Sequence, residues 1–179
     1  MGYEIRPATL ADTSALEVLI ARSARELSTD DYTPEQIEAA LRGAFGVDTQ
    51  LIRDGSYFVA DAAGKLIGCG GWSRRRTLFG GDAKTDRDAG ELDPRVDAAK
   101  IRAFFVDPDH ARQGVGQALL ERCEAEAKAR GFSRFELMAT LPGVKLYAAR
   151  GYVAGERVSY QLHPGVDLWI EFLPMSKSV

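Results

Sequence analysis

The apolar positions of the chain fall into blocks of different period. Leu16, Leu19, Ile20 and Leu27 recur at helical spacing, so the segment ending near Leu27 is predicted as a helix capped by Thr9 or Asp12. Ahead of it, Tyr3 to Pro7 reads as a short strand that Pro7 closes. After a loop at Ser28-Thr29-Asp30-Asp31, Thr33-Pro34-Glu35-Gln36 opens a second helix that runs to about Gly43. Thr33 suits the N-cap, Pro34 the first helical position, and Gln36 completes a capping box. The pattern then turns to strands. Ser56 to Asp61 and Lys65 to Ser73 flank Ala62-Ala63-Gly64, a hairpin turn. From Arg74 to about Ala99 the chain is rich in Gly, Asp and Arg with little periodicity, which predicts a long loop; such loops in compact domains are usually functional or disordered.

Ile101 to Val106 is almost continuously apolar, broken by Arg102, and suits a strand buried on both faces. Gly114 to Arg130 is predicted helical, with Val115, Ala118, Leu119 and Cys123 on one side and Glu121, Glu124 and Lys128 on another; Gly131 ends it. Phe135 to Met138 reads as a strand and Pro142 to Arg150 as a short helix stopped by Gly151. Tyr152 to Tyr160 and Asp167 to Leu173 read as two final strands in a hairpin around Pro164-Gly165. The strand–helix–strand unit in the second half requires part of the sheet to be parallel, so the class is α/β (α+β).

Composition narrows the chemistry. The 179 residues are one domain's worth, and 45% apolar with 27% charged residues is ordinary globular usage. The formal net charge of -3 argues against a nucleic-acid partner, because phosphate neutralisation needs clustered excess cations. Cys69 and Cys123 are too few for a disulfide scaffold or a Cys-based zinc site, and with only His110 and His163 no metal centre is expected. No run approaches the length of a membrane span, and Met1 to Pro7 lacks a basic-then-apolar leader, so a soluble, cytoplasmic, single-domain protein without a membrane partner is expected over 1–179.

The sharpest segment is Phe104-Phe105-Val106-Asp107-Pro108-Asp109-His110-Ala111-Arg112-Gln113-Gly114-Val115-Gly116-Gln117-Ala118-Leu119-Leu120. A buried strand ends, a turn follows, and Gly114-x-Gly116 opens a helix. The first turn of a helix carries unpaired N–H groups and partial positive charge, and glycines let a ligand approach them, so the arrangement suits a pyrophosphate. It is not a Walker A loop, since no Lys-Ser/Thr follows the glycines. It is not the dinucleotide fingerprint either, since Leu119 stands where a third Gly belongs.

This segment resembles motif A of the GNAT superfamily, the acyl-CoA N-acyltransferases, commonly written Gln/Arg-x-x-Gly-x-Gly/Ala. Gly114-Val115-Gly116 matches its end; the leading Gln/Arg falls on Ala111, a departure that affects one side-chain contact and not a cradle made of backbone amides. Tyr147-Ala148-Ala149-Arg150-Gly151-Tyr152 is similar to motif B, Tyr-x-x-x-Gly-Phe/Tyr. The resemblance implies a GNAT fold, a mixed, mostly antiparallel central sheet with helices on both faces. It implies acetyl-CoA as cosubstrate, bound in a cleft between two splayed strands by Phe104, Phe105, Val106, Arg112, Gln113, Gly114, Val115, Gly116 and Gln117, with no metal. The implied activity is N-acetylation of a primary amine on a small molecule or peptide by direct attack. A non-catalytic acyl-CoA sensor, or use of another acyl group, is the alternative, and the superfamily also admits a homodimer through the C-terminal strands. Tyr147 is the candidate catalytic residue: a phenol with a pKa of ~10 is protonated near neutrality and can donate to a departing thiolate of pKa ~8.5.

Several residues stay open. Glu91, Asp93 and Asp97 are candidate bases in the long loop, beside deprotonation through water. Cys69 and Cys123 read as small buried apolar residues, His110 and His163 as exposed turn residues. Arg74-Arg75-Arg76 is a solvated strand end balanced by Asp82, Asp86 and Asp88, or a contact to an anionic acceptor, or a segment that folds back on the cofactor. Tyr32 and Trp72 are core aromatics or acceptor-pocket walls, and the Arg74–Ala99 loop either covers the acceptor end of the cleft or has no part in the chemistry.

Overall fold

Strand β1 (Glu4–Pro7) leads through a 3₁₀ turn into helix α1 (Thr13–Leu27), followed by α2 (Pro34–Ala40) and α3 (Thr49–Arg53). Then come β2 (Tyr57–Ala62), β3 (Lys65–Ser73), β4 (Ala99–Val106), α4 (Val115–Ala129), β5 (Arg134–Thr140), α5 (Val144–Ala149), β6 (Val153–Ala154), β7 (Val158–Gln161) and β8 (Trp169–Ser178). The structure is a computed structural model and describes residues 2–84 and 87–179. The sheet runs β1-β2-β3-β4-β5-β8-β6, with β7 also on β8. Every pairing is antiparallel except β4 with β5.

Local chemistry explains most boundaries. Gln36 N donates to Thr33 Oγ1 at 3.1 Å and Thr33 N donates to Gln36 Oε1 at 2.8 Å, the reciprocal cap that starts α2. Gly64 N donates to Asp61 Oδ1 at 2.7 Å and closes the β2–β3 hairpin. Helix α3 was not expected; its five residues are too few to show a period, and Asp48 caps it by accepting from Gln50 N at 3.0 Å.

Two apolar layers sandwich the sheet. On one face Leu16, Leu19 and Ile20 of α1, Ile37 of α2 and Leu51 of α3 pack on Tyr57, Val59 and Cys69. On the other, Val115, Leu119, Leu120 and Cys123 of α4 pack on Phe58, Ile67, Ile101 and Phe135. Gly68 lets α4 come close to β3: a Cβ there would lie 2.6 Å from Val115 Cγ1. Both cysteines are buried, as expected. Burial pushes the Cys69 thiol up to about 12 and raises that of Cys123, so neither is a ready thiolate.

The expected Tyr152–Tyr160 strand is broken. Ala154 pairs with Met175 and Val158 with Phe172, so β8 advances one residue fewer than the other strand, and Gly155 N donates to Pro174 O at 2.8 Å inside the excess. Among the described residues no helix is long and apolar enough to cross a membrane, and no cluster of three or more His, Cys, Asp or Glu could hold a metal.

Candidate active site

Strands β4 and β5 pair through Ala99–Phe135 and Lys100–Glu136 and then part, while β5 stays paired to β8 along its length. From Ile101 onward the β4 edge that faces β5 therefore lacks a strand partner. A bulge turns this edge further. The β3–β4 register steps from Cys69–Phe105 to Gly71–Arg102, three residues of β4 against two of β3, and Ala103 takes φ +59°. That conformation costs on the order of 1 kcal/mol for a residue with a Cβ. The fully buried Tyr57 hydroxyl holds it by donating to Ala103 O at 3.3 Å. Beyond the bulge, Ala103, Phe104, Phe105 and Val106 are only half-buried, so the expectation of a strand buried on both faces holds for its first part alone.

The parting strands enclose a narrow cleft of about 60 Å³. Residues 101–105 of β4 and Leu137, Met138 and Thr140 of β5 form its walls. Phe45, Phe79, Gly80 and Phe172 close one side, and Tyr147 closes the other. The long loop thus does reach the cleft, through Leu78, Phe79 and Gly80.

Below the β4 end lies the turn into α4. Gly114 is the N-cap in the left-handed region (φ +85°), and no atom lies within 4 Å of where its Cβ would be. Arg112 is also left-handed, at φ +59°. Among the described residues the N–H groups of Arg112, Gln113 and Gly114 have no hydrogen-bond acceptor, and the first N–H groups of α4 have none by helix geometry. Free donors at a helix start suit an anion without any cationic side chain being required. Gly116 also lets α5 come close: its Cβ would stand 3.1 Å from Leu146 Cδ2. The Gln113 and Gln117 side chains turn to Asp109 O (3.2 Å) and Glu121 Oε1 (2.9 Å). Val106 N is 3.3 Å from Ser23 Oγ and Phe105 N–H faces the Cys69 sulfur, which leaves both less free to donate than Phe104.

Tyr147 is 8% exposed, set edge-on to Phe104 at 6.2 Å between centroids and to Tyr152 at 5.8 Å. Its hydroxyl has no hydrogen-bond partner among the described residues. Burial, with the nearby Cys123 thiol adding to it, raises its pKa well above the ordinary phenol value, so it stays protonated.

No Asp, Glu or His lines the cleft. Asp93 is bound by Arg95 at 2.8 Å, whose side-chain hydrogen bond draws its pKa down to about 2. Asp97 accepts from Asp93 N at 2.8 Å, and Glu91 lies 3.6 Å from Arg74. The three carboxylates proposed as bases are thus engaged elsewhere. Tyr32 and Trp72 are buried core residues and not cleft walls: Tyr32 donates to Glu171 O at 2.6 Å, and Trp72 packs on Phe132. His110 is half-buried beside Asp107 (3.4 Å) rather than exposed. Two of the three arginines, Arg74 and Arg75, pair with carboxylates other than those expected. Arg75 grips both oxygens of Asp54 (2.7 and 2.9 Å), while Asp82 and Asp88 cap backbone N–H groups; Asp86 lies outside the described residues.

One feature escaped the sequence reading. Arg102, expected only as a break in a strand, is 5% exposed and lies 2.6 Å from Asp48 Oδ2. Asp48 is fully buried and also 2.9 Å from Arg87. The two partners are over fifty positions apart in sequence, so no local pattern signals the pair.

The sequence profile of the Acetyltransferase (GNAT) family matches residues 21–152, which include the cleft strands, the Gly114 turn and Tyr147. The chain belongs to the GNAT acetyltransferase family. It is therefore an acyltransferase by family. Solved structures share the GNAT fold across whole chains. A GCN5-related N-acetyltransferase from Rhodopseudomonas palustris aligns at TM-score 0.72 with 24% identity, covering 100% of this chain and 97% of that one. The PaiA N-acetyltransferase from Thermoplasma acidophilum, in complex with coenzyme A, aligns at 0.68 with 17% identity over 100% of both chains. A ribosomal-protein-alanine N-acetyltransferase from Brucella melitensis aligns at 0.63 with 18% identity, covering 98% and 99%. No curated protein sequence matches the chain. At these identities the GNAT neighbours establish the fold and nothing of the acceptor.

Proposed function

We propose that this GNAT chain is an acetyl-CoA-dependent N-acetyltransferase that acts in the cytoplasm on a primary amine of a small molecule or peptide. The observation that carries the reading is the parting of β4 from β5, followed in the turn after β4 by unpaired amides at residues 112–117. Those amides suit a pyrophosphate, and the open β4 edge suits an amide-bearing arm that completes the missing strand pairing. The structure of the PaiA neighbour holds coenzyme A, which favours the same class of donor. The narrowness of the cleft, about 60 Å³, favours a short acyl group.

Acetyl-CoA supplies the electrophilic thioester carbonyl and the thiolate leaving group. The chain supplies position, dryness and a proton. The bulge at Ala103 directs backbone groups of β4 toward the carbonyl, where an N–H stabilises the developing oxyanion. The neutral amine attacks the carbonyl carbon, the C–N bond forms and the C–S bond breaks. Tyr147, kept protonated by burial, gives its proton to the leaving sulfur and recovers one from the amine through water. No carboxylate of the cleft takes part, so the amine arrives neutral or loses its proton to solvent. The same lack of a base favours a second reading, a sensor that holds acyl-CoA without turnover. An amine panel with thiol detection separates them: a transferase releases CoA and yields acetylated product, whereas a sensor yields neither.

A further inference from the structure

Arg102 is the one charged side chain among the described residues that line the cleft. It lies on the face of β4 that carries Phe105 and meets Phe45 and Phe172, opposite the face that carries Phe104 and Tyr147. An acyl group held between β4 and β5 would have Tyr147 on one side and Arg102 on the side left for the acceptor. A guanidinium has five N–H donors. Among the described residues, the polar contacts of Arg102 run through Nη2, to Gly80 O at 2.7 Å and Asp48 Oδ2 at 2.6 Å. Its Nε is buried with no hydrogen-bond partner.

The charge is also under-compensated. Among the described residues, Asp48 is shared between Arg102 and Arg87, and Asp82, the other carboxylate near Arg87, is half-exposed and 3.7 Å from it. A buried guanidinium with an idle donor, left with half a carboxylate, is costly unless a ligand completes it. Nothing in the family motifs asks for a cation here: Arg102 interrupts the apolar run from Ile101 to Val106, where a purely packing role would be met by an aliphatic side chain.

Building on the transferase reading, we propose that Arg102 binds a carboxylate of the acceptor, and that the acceptor is an amino acid or similar amino-carboxylate. The carboxylate pairs with the Nε side of Arg102, and the adjacent amine is turned toward the acyl carbon. Phe45, Phe79, Phe105 and Phe172 surround the position and suit an apolar remainder on the acceptor. Diamines and polyamines are the disfavoured class, since they bring a second cation toward Arg102 and no anion.

The test is a matched panel. Alanine, leucine and phenylalanine are each compared with the amine left when the carboxylate is removed, and with an α,ω-diamine, by CoA release at fixed acetyl-CoA. The amino acid of at least one pair is expected to exceed its amine by about tenfold or more in kcat/KM, the scale of one charge-assisted hydrogen bond. Arg102→Gln should collapse that ratio to about twofold or less, chiefly through KM, and Arg102→Lys should restore part of it. Acetyl-CoA affinity and Tm report whether each variant is folded. Should Arg102→Gln not fold, the wild-type ratio decides by itself. Plain amines or diamines that turn over as well as the amino acids overturn the proposal while the transferase reading stands. If no amine releases CoA, the transferase reading fails, and calorimetry on the CoA-loaded protein decides the site. N-acetylalanine binding no tighter than N-ethylacetamide overturns the carboxylate site, and tighter binding that Arg102→Gln abolishes supports it.

Discussion

Replacing Tyr147 with Phe removes one oxygen from the cleft wall and nothing else. The hydroxyl has no protein partner among the described residues, so its loss breaks no hydrogen bond, and the ring keeps its edge-on contacts to Phe104 and Tyr152. Stability should therefore change by no more than about 0.5 kcal/mol. Catalysis should change far more. A positioned general acid contributes roughly 10²–10⁴-fold. A thiolate of pKa ~8.5 is already a fair leaving group near neutrality, so the lower end applies. Tyr147→Phe is expected to lower kcat by roughly 10–10²-fold, about 1.4–2.8 kcal/mol of barrier, with acetyl-CoA affinity unchanged within about twofold. The pH profile gives a second check. Burial raises the pKa of Tyr147, so the acid form persists as pH rises and wild-type kcat should show no alkaline fall from this group below about pH 10, while kcat/KM climbs as the amine loses its proton. Steady-state kinetics on both proteins, with calorimetry for acetyl-CoA and a thermal melt, make the measurement. An unaltered kcat with intact binding would remove Tyr147 as the acid.

Other perturbations test other parts. Gly114→Val forces a β-branched residue into φ +85° and fills the open space before α4, and should weaken acetyl-CoA binding at least tenfold by calorimetry. Unchanged affinity would refute the cradle. Gly70→Ala would place a Cβ 2.7 Å from the Phe104 ring, displacing it along the cleft wall; KM for acetyl-CoA should rise several-fold, with about 1–3 kcal/mol lost in urea unfolding. Asp12 is drawn down to about 2, first by the Arg6 side-chain hydrogen bond. Its contribution to stability is present above the ordinary carboxylate pKa and is lost as pH falls toward about 2, so Asp12→Asn should destabilise near pH 7 and narrow the difference between the proteins near pH 2.

The sequence carried those parts of the fold that rest on near neighbours. Thr33 and Gln36 predicted a reciprocal cap because its partners are three residues apart, and Gly114 predicted a helix start because an N-cap is a local conformation. What failed depends on distance. Asp54, not Asp82 or Asp88, answers Arg75, because α3 is brought to the end of β3 by packing. The Arg102–Asp48 pair joins β4 to the cap of α3, and the Ala103 bulge appears only in the β3–β4 register. Gly116 was legible as a glycine but not as a seat for Leu146. The cleft itself was implied only through family resemblance, since two strands that part after two pairs look in sequence like two that do not.

The central claim is tested most directly by incubating the protein with acetyl-CoA and an amine panel rich in amino acids and following free thiol and product mass together. The account predicts CoA released in step with an N-acetylated amine, and lost in Gly114→Val. Acetyl-CoA bound at the cleft with no amine acetylated, across the whole panel, would contradict it.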